Sequence, residues 1–415
     1  MLRSLTLASV LFISLFAGPV QAQVCSGDVT LSSQADVNAF DCTEVTGNLT
    51  VEGDDINDLS PISSLNSVSG FLDIFLNPTL TSLGGLENLT SVGGLSVANN
   101  ELLESLSGLE NLASVDGFLV VGFNPELTSL AALESVTSVG DVLFISDNSE
   151  LESLVGLENI TSIAGRLDIT GNPMLVSLAG MESLTYIGEG VSIIQFNSSL
   201  ESVTGLGNLI TVAGELRITN NEVLESLNGL MSVASIGGDL IISGNDALES
   251  LDGLEHIASV GDDLAVWFND ALNTCSCGLS GIITGDPAVF SGVEGEVNIR
   301  DNDPEGTCTS PEVVLATPCE PVANEDDSAA PQSLQLEVYP NPVARVATLQ
   351  YALPEAGPVR LVIYDLLGRE VAVLADGVQP VGRREAPLSG LAAGVYVVRL
   401  EAGEEVRTQR VTVLR

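Results

Sequence analysis

The sequence predicts a mainly β chain: a parallel β-solenoid of about 24-residue coils, followed by a small antiparallel β-sandwich. Three observations predict it. A unit centred on asparagine recurs through the first two thirds of the chain; apolar residues inside each unit first alternate and then fall at every third position; and from Val338 the pattern becomes strands of plain alternation.

The chain opens with Arg3, an apolar run through Phe16 and a small-residue exit at Val20-Gln21-Ala22. Residues 1–22 read as a cleaved secretory signal, too short for a transmembrane span, and no later stretch is apolar for long enough to cross a bilayer. Residues 23–46 form the expected N-terminal cap, with Cys25 and Cys42 as a bridge.

The repeat occupies residues 47–269. Its asparagines are Asn77, Asn100, Asn124, Asn148, Asn172, Asn197, Asn221, Asn245 and Asn269, spaced 23 to 25 residues apart. In LDITGNPMLVSLAG, residues 167–180, the Leu-x-Ile part puts two side chains on the inner face of a short strand. The following Leu residues, three apart, suit tight turns and corners; an amphipathic α-helix would alternate threes and fours. One unit cannot bury its apolar stripe alone, whereas stacked units share a core, so nine or ten coils make a rod on the order of 45 Å long. The asparagines are expected to bond backbone groups of their own and the next coil. Ser82, Ser105, Ser129, Ser153, Ser177, Ser202, Ser226 and Ser250, five residues after their asparagines, are expected to form a second polar ladder.

Residues 270–320 carry Cys275, Cys277, Cys308 and Cys319 and read as the C-terminal cap. Four cysteines allow three pairings, and the spacing Cys-x-Cys, then 31 and 11, fits no usual zinc finger. Residues 321–337, polar and Pro-bearing, read as a linker.

The net charge is -43, and every one of the 13 basic residues is Arg. Nine of them lie in residues 338–415 against eight acids, so the preceding part is a polyanion, which argues against nucleic acid and anionic lipid as partners. An acidic, Lys-free surface fits solvation in concentrated salt. Calcium is the weaker alternative: Asp301-Asn302-Asp303-Pro304-Glu305 offers oxygens, but no twelve-residue calcium loop exists, and no other cofactor is expected.

Residues 338–415 hold ATLQYAL, VRLVIYDLLGREVAVL, GVYVVRL and VRTQRVTVL, separated by Pro and Gly, as an immunoglobulin-like antiparallel sandwich requires. Tyr339-Pro340-Asn341-Pro342, then Asp365 and Gly368 in YDLLGREV, then Gly394 and Tyr396 in GVYVVRL, resemble the C-terminal sorting domain of type IX secretion. The resemblance implies recognition by that export machinery after signal-peptide cleavage. It also implies removal by a surface peptidase, then release or attachment to surface lipopolysaccharide. The terminal Lys usual in that family is replaced here by Arg410 and Arg415.

Cys25 to Cys42, Gly47-Asn48-Leu49-Thr50-Val51 and the repeat that follows resemble receptor L-domains and, more loosely, leucine-rich repeats, over roughly residues 24–300. That resemblance implies a right-handed coil used for recognition.

Catalysis has little support: His256, the sole His, sits at a variable repeat position, and no nucleophile constellation is visible. Binding has more. Outward positions just before the asparagines place Phe75, Phe144, Ile193, Arg217, Ile241 and Trp267 on one sheet, a strip that would stack on sugar rings or receive a protein. The expected function is secreted or surface-displayed recognition or adhesion; a structural surface-layer component is the first alternative and a glycan-active enzyme the second. The sequons at Asn48, Asn88, Asn159 and Asn197 read as products of the repeat.

Overall fold

The structure, a computed structural model, describes residues 23–275, 278–279, 282 and 292–317, and most of 334–413. Within that last stretch it omits 340–346, 355, 366–368, 380–381, 389–390, 393 and 404. The expected signal segment 1–22, residues 321–333 of the expected linker, Cys277 and Cys319 therefore lie outside the described residues.

The repeat winds into a parallel β-solenoid of about ten turns. One side carries the longer strands, such as Leu119–Gly122, Leu143–Ser146 and Leu167–Thr170, paired in parallel so that Leu119, Leu143 and Leu167 stack in one column. Alternation decides what faces in: Leu143 and Ile145 are fully buried, while Phe144 between them points outward. A second side carries two-residue strands, for example Ser138–Val139 beside Ser162–Ile163, with Val139 and Ile163 in the core.

The third side shows why the leucines fall three apart. The Leu86 N–H donates to the Leu83 carbonyl at 3.2 Å, and the Leu89 N–H to the Leu86 carbonyl at 2.9 Å. That is the hydrogen-bond span of 3₁₀ turns, which eclipses side chains at i and i+3 and sends all of them inward. In some coils the turn closes into a 3₁₀ helix, as at Ser60–Ile62, Ala131–Leu133 and Asn228–Leu230.

The asparagines are buried and form one continuous ladder. In Asn172, Nδ2 donates to the Ile145 carbonyl of the preceding coil at 3.0 Å and to its own Thr170 carbonyl at 3.2 Å. Its Oδ1 accepts from both the backbone N–H of Asn148, at 3.2 Å, and Asn148 Nδ2, at 3.3 Å. The pattern repeats from Asn77 to Asn269 and runs one step further, to Asn302, across a 33-residue excursion that conceals the tenth rung in the sequence. At the first rung Asn77 Oδ1 is buried without a partner among the described residues, because the preceding coil has no asparagine at the rung position, where Asp54 stands.

The expected serine ladder takes another form. Backbone bridges join Ser177 to Ser202 and Ser202 to Ser226, but the hydroxyls turn back into their own coils, as where Ser202 Oγ accepts from the Thr204 N–H at 3.0 Å. Hydroxyls elsewhere do cross coils, as Ser135 Oγ donates to the Glu110 carbonyl at 2.6 Å, but at these positions a free N–H two residues along the same chain lies within reach and takes the bond. The second inter-coil tie is instead Asn of the Glu-Asn pairs: Asn111 Nδ2 donates to the Glu87 carbonyl at 2.7 Å, and Glu110 caps the Gly108 N–H at 2.9 Å. The sequon amides have the same kind of work. Asn88 and Asn159 each reach a carbonyl of the preceding coil at 2.8 Å, Asn48 Oδ1 accepts from the Phe71 N–H, and Asn197 is a ladder rung.

Both ends are closed. At the start, the helix Gln34–Ala39, capped by Ser33, buries Val37, and a Cys25–Cys42 disulfide ties the first short strand to the next coil. At the far end, Val297–Arg300 pairs with Leu264–Trp267, the helix Pro311–Ala316 buries Val314, and Cys275, in the place of a repeat Leu, is bonded to Cys308.

The C-terminal region forms two antiparallel sheets. One holds Gln335–Tyr339, Ala347–Leu353 and Gly382–Leu388; the other holds Gly357–Asp365, Glu370–Gln379, Gly394–Ala402 and Glu405–Val413. Their inner faces share a core of alternating residues, including Leu349, Tyr351, Leu353, Leu361, Ile363, Val398 and Leu400.

Asn172→Ala would orphan a donor and an acceptor in two neighbouring coils, so a loss of about 3 kcal/mol is expected. Ser177→Ala, which removes a local bond only, should cost below about 1 kcal/mol. Thermal unfolding followed by circular dichroism checks the contrast; equal losses would contradict the ladder's role.

Candidate functional site

The outward face of the longer strands is built from stacked columns. Four residues before each rung, Val120, Phe144, Asp168, Ile193, Arg217, Ile241 and Ala265 stand in register on successive strands. Two residues before each rung the column runs Phe75, Ala98, Gly122, Ser146, Thr170, Gln195, Thr219, Ser243, Trp267 and Arg300. The six residues expected as one strip therefore share a sheet but not a line. Phe144, Ile193, Arg217 and Ile241 lie in the first column, broken by Asp168, whereas Phe75 and Trp267 sit near opposite ends of the second, separated by small and polar side chains.

All six are half-buried. Val120 and Phe144 are neighbours in register, whereas Asp168 stands between Phe144 and Ile193 and Arg217 between Ile193 and Ile241, so apolar and charged residues alternate along the column. Arg217 is paired with Glu215 on its own strand, which with Asp239 nearby holds its guanidinium in the charged form. Trp267 is partly covered: the Arg300 guanidinium lies 5.3 Å from its ring centroid and 5.6 Å from that of Phe268, and Arg300 also pairs with Asp301. Trp267 thus belongs to a cation-π stack at the C-terminal edge of the sheet.

Asp168 was not distinguished by the sequence, yet it is 7 % exposed on an outer face. Its neighbours in register are Phe144 and Ile193, so burial pushes its carboxyl above the ordinary value, with the nearby Asp147 adding to the rise. A hydrogen bond from the Thr170 hydroxyl, 2.5 Å long, and the charge of Arg166 work in the opposite direction. On the adjacent strand Ser146 is fully buried, and its Oγ has no partner among the described residues. It turns toward Gly122, where an added Cβ would lie only 2.9 Å from it.

A further row follows from the ladder. The residue just before each rung turns the chain with a left-handed backbone: φ is 56° at Phe123, 54° at Asp147, 55° at Phe196, 56° at Asn220 and 55° at Phe268. Asn, Asp and Gly accept that conformation readily, whereas a bulky L-residue gives up roughly 1 kcal/mol to adopt it. Phe123, Phe196 and Phe268 are nevertheless 50 %, 56 % and 51 % exposed, so burial does not explain them.

The acidic run at the far end is engaged internally. Asp301 pairs with Arg300, Asn302 is the last rung, and Asp303 Oδ1 accepts from the Glu305 N–H at 2.9 Å. His256 is exposed.

In the C-terminal sandwich, Asp365 stands opposite Tyr396 across paired strands, and Gly394 opens the same strand. The Tyr396 hydroxyl donates to the Ala392 carbonyl at 2.8 Å, the backward bond of a tyrosine corner. Tyr339 ends the first strand, opposite Thr348. Pro340, Asn341, Pro342 and Gly368 lie outside the described residues.

These strands coincide with a family match. Residues 337–414 match the secretion system C-terminal sorting domain. Residues 41–129, the first coils of the solenoid, match the Receptor L domain. No curated protein matches the chain. The sorting domain implies interaction with type IX secretion machinery and indicates export to the cell surface or the extracellular space. Among the described residues no helix is long and apolar enough to cross a membrane. A solenoid of L-domain kind fits surface recognition.

Because the folded-state carboxyl of Asp168 is raised, its ionisation opposes folding as pH climbs from its ordinary value of 3.8 through the folded one. Asp168→Asn should therefore raise the melting temperature at neutral pH, with the gain vanishing below that ordinary value. Melting curves across pH check it, and a gain that persists at low pH would contradict the assignment.

Proposed function

We propose that the chain is a secreted or surface-displayed recognition module without catalytic activity, adhesive through the outward face of its longer strands. The observation that carries this is the column of half-exposed Phe144, Ile193 and Ile241, interleaved with Asp168 and Arg217, on a chain of net charge -43. Such a chain has ample acidic residues with which to cover a sheet that needed only solubility. The match to a receptor ectodomain family over the first coils supports the same reading. The C-terminal sandwich then serves as an export address, removed by a surface peptidase or exchanged for a lipopolysaccharide anchor.

Electrostatics narrows the partner. A polyanion repels nucleic acid, anionic lipid and acidic polymers, so an uncharged or cationic partner fits. Backbone bonds from Glu225 to Glu201 place their acidic side chains in consecutive coils, and Glu249 continues the same position. Such stacked like charges favour working conditions of high salt, where they are screened. The melting temperature should accordingly rise between about 0.1 and 1 M NaCl; a flat or falling curve would remove the argument for a high-salt setting.

The direct test is capture of the purified chain on glycan and bacterial-surface arrays beside a Phe144→Ser, Ile193→Thr, Ile241→Thr variant. Binding at least about tenfold weaker in the variant is expected, as for central apolar contacts of an interface. Self-assembly of the unaltered chain into ordered arrays, with no capture by any surface component, would instead establish the structural role. Release of reducing sugar ends during incubation would overturn the non-catalytic reading.

A further inference from the structure

The ridge just before the ladder asparagines repeats on a longer period than the coil. Phe123, Asp147 and Gly171 follow one another on successive coils, then Phe196, Asn220 and Gly244, then Phe268 and Asp301. An exposed aromatic thus recurs at every third coil, about 14 Å apart for strands stacked about 4.8 Å apart. The Asx and Gly positions are what a left-handed corner selects by itself. The three phenylalanines go against that selection, as Leu76 does at the same corner, and are not buried in return. Phe268 has the Arg300 guanidinium over its ring, whereas Phe123 and Phe196 leave their exposed faces open to an external contact.

The polar members are aimed along the ridge. An added Cβ on Gly171 would lie 2.7 Å from Asp147 Oδ1, and one on Gly244 would lie 2.6 Å from Asn220 Oδ1. Each Asx therefore leans across the glycine that follows, leaving an acceptor beside a flat gap between two aromatic platforms. Beside the first gap lies the Asp168 carboxylate, 7 % exposed and hydrogen-bonded by the Thr170 hydroxyl.

We propose that this ridge is a binding track for a linear, uncharged polysaccharide, with Phe123, Phe196 and Phe268 as stacking platforms and Asp147 and Asn220 as hydroxyl acceptors between them. A sugar ring offers an apolar C–H face to an aromatic side chain and hydroxyls that both donate and accept, which suits carboxylate and amide alike. A regular polymer has the repeat that this spacing requires, and an uncharged one escapes the repulsion of the polyanion. The proposal rests on the recognition reading and narrows its partner to one chemical class.

The test is affinity electrophoresis of the full chain in gels containing linear β-1,3-glucan, β-1,4-mannan, uncharged β-1,4-xylan or, as the cationic control, poly-lysine. It compares the unaltered chain with Phe123→Asn, Phe196→Asn, Phe268→Asn and the triple variant. Asn already occupies this corner at Asn99 and Asn220, so these variants keep a permitted backbone, and their melting curves confirm folding. The expected result is retardation by at least one uncharged polysaccharide, insensitive to salt, weakened about tenfold per lost platform and abolished in the triple variant. Retardation that the triple variant retains would overturn the ridge. Retardation by poly-lysine alone, fading with salt, would overturn the ligand class. If in either case the Phe144, Ile193 and Ile241 variant also loses binding, the recognition face stands without the track; if no partner is bound by any form, both readings fall.

Discussion

The buried asparagine ladder is the constraint on which the rest of this solenoid depends. Each rung uses both donors and the acceptor of one amide to join three strands' worth of backbone, and no other side chain of that size offers two donors and an acceptor in one plane. Its demand is local: the chain must turn out of the strand, through a left-handed residue, into a buried position beneath the next rung. What happens between rungs is free to vary. Coils of 23, 24 and 25 residues coexist, and a 33-residue excursion still returns Asn302 to its place. That freedom explains how the last coil carries a disulfide-bonded cap without breaking the rod.

Much of this was legible in the sequence, for identifiable reasons. The strict alternation in Leu-x-Ile can be satisfied only by a strand, and leucines three apart only by turns of 3₁₀ span, so coil shape and core followed directly. Asn302 escaped because the unit around it lacks the spacing of its predecessors. The serines misled because a five-residue offset fixes where a hydroxyl sits but not whether it bonds along its own chain or across coils. The binding strip was misdrawn by two residues: positions two and four before the rung both face outward, yet they belong to different columns, and only the strand register separates Trp267 from Ile241.

Other features were present in the sequence as departures from local preference. Asn99, Asp147, Gly171, Asn220 and Gly244 spell out a left-handed position, and Leu76, Phe123, Phe196 and Phe268 break the series. Asp168 depends on its cross-strand neighbours Phe144 and Ile193, a fact of register and not of composition. The division of labour is clear: inward and ladder positions are nearly uniform from coil to coil, while the outward columns differ in almost every coil. A scaffold that closes its own backbone so completely leaves those columns free to be set by what they contact.

Hydrogen exchange of the intact chain, read by mass spectrometry on short overlapping peptides, tests the ladder most directly. The backbone N–H groups of Asn77 through Asn269 donate to buried Oδ1 atoms, so they are predicted to exchange as slowly as the central amides of the longer strands. The protection should be uniform along the rod and include Asn269 before the long excursion. Rapid exchange at those asparagines while the strands stay protected would show that the strands hold the solenoid without the ladder, and would contradict the account.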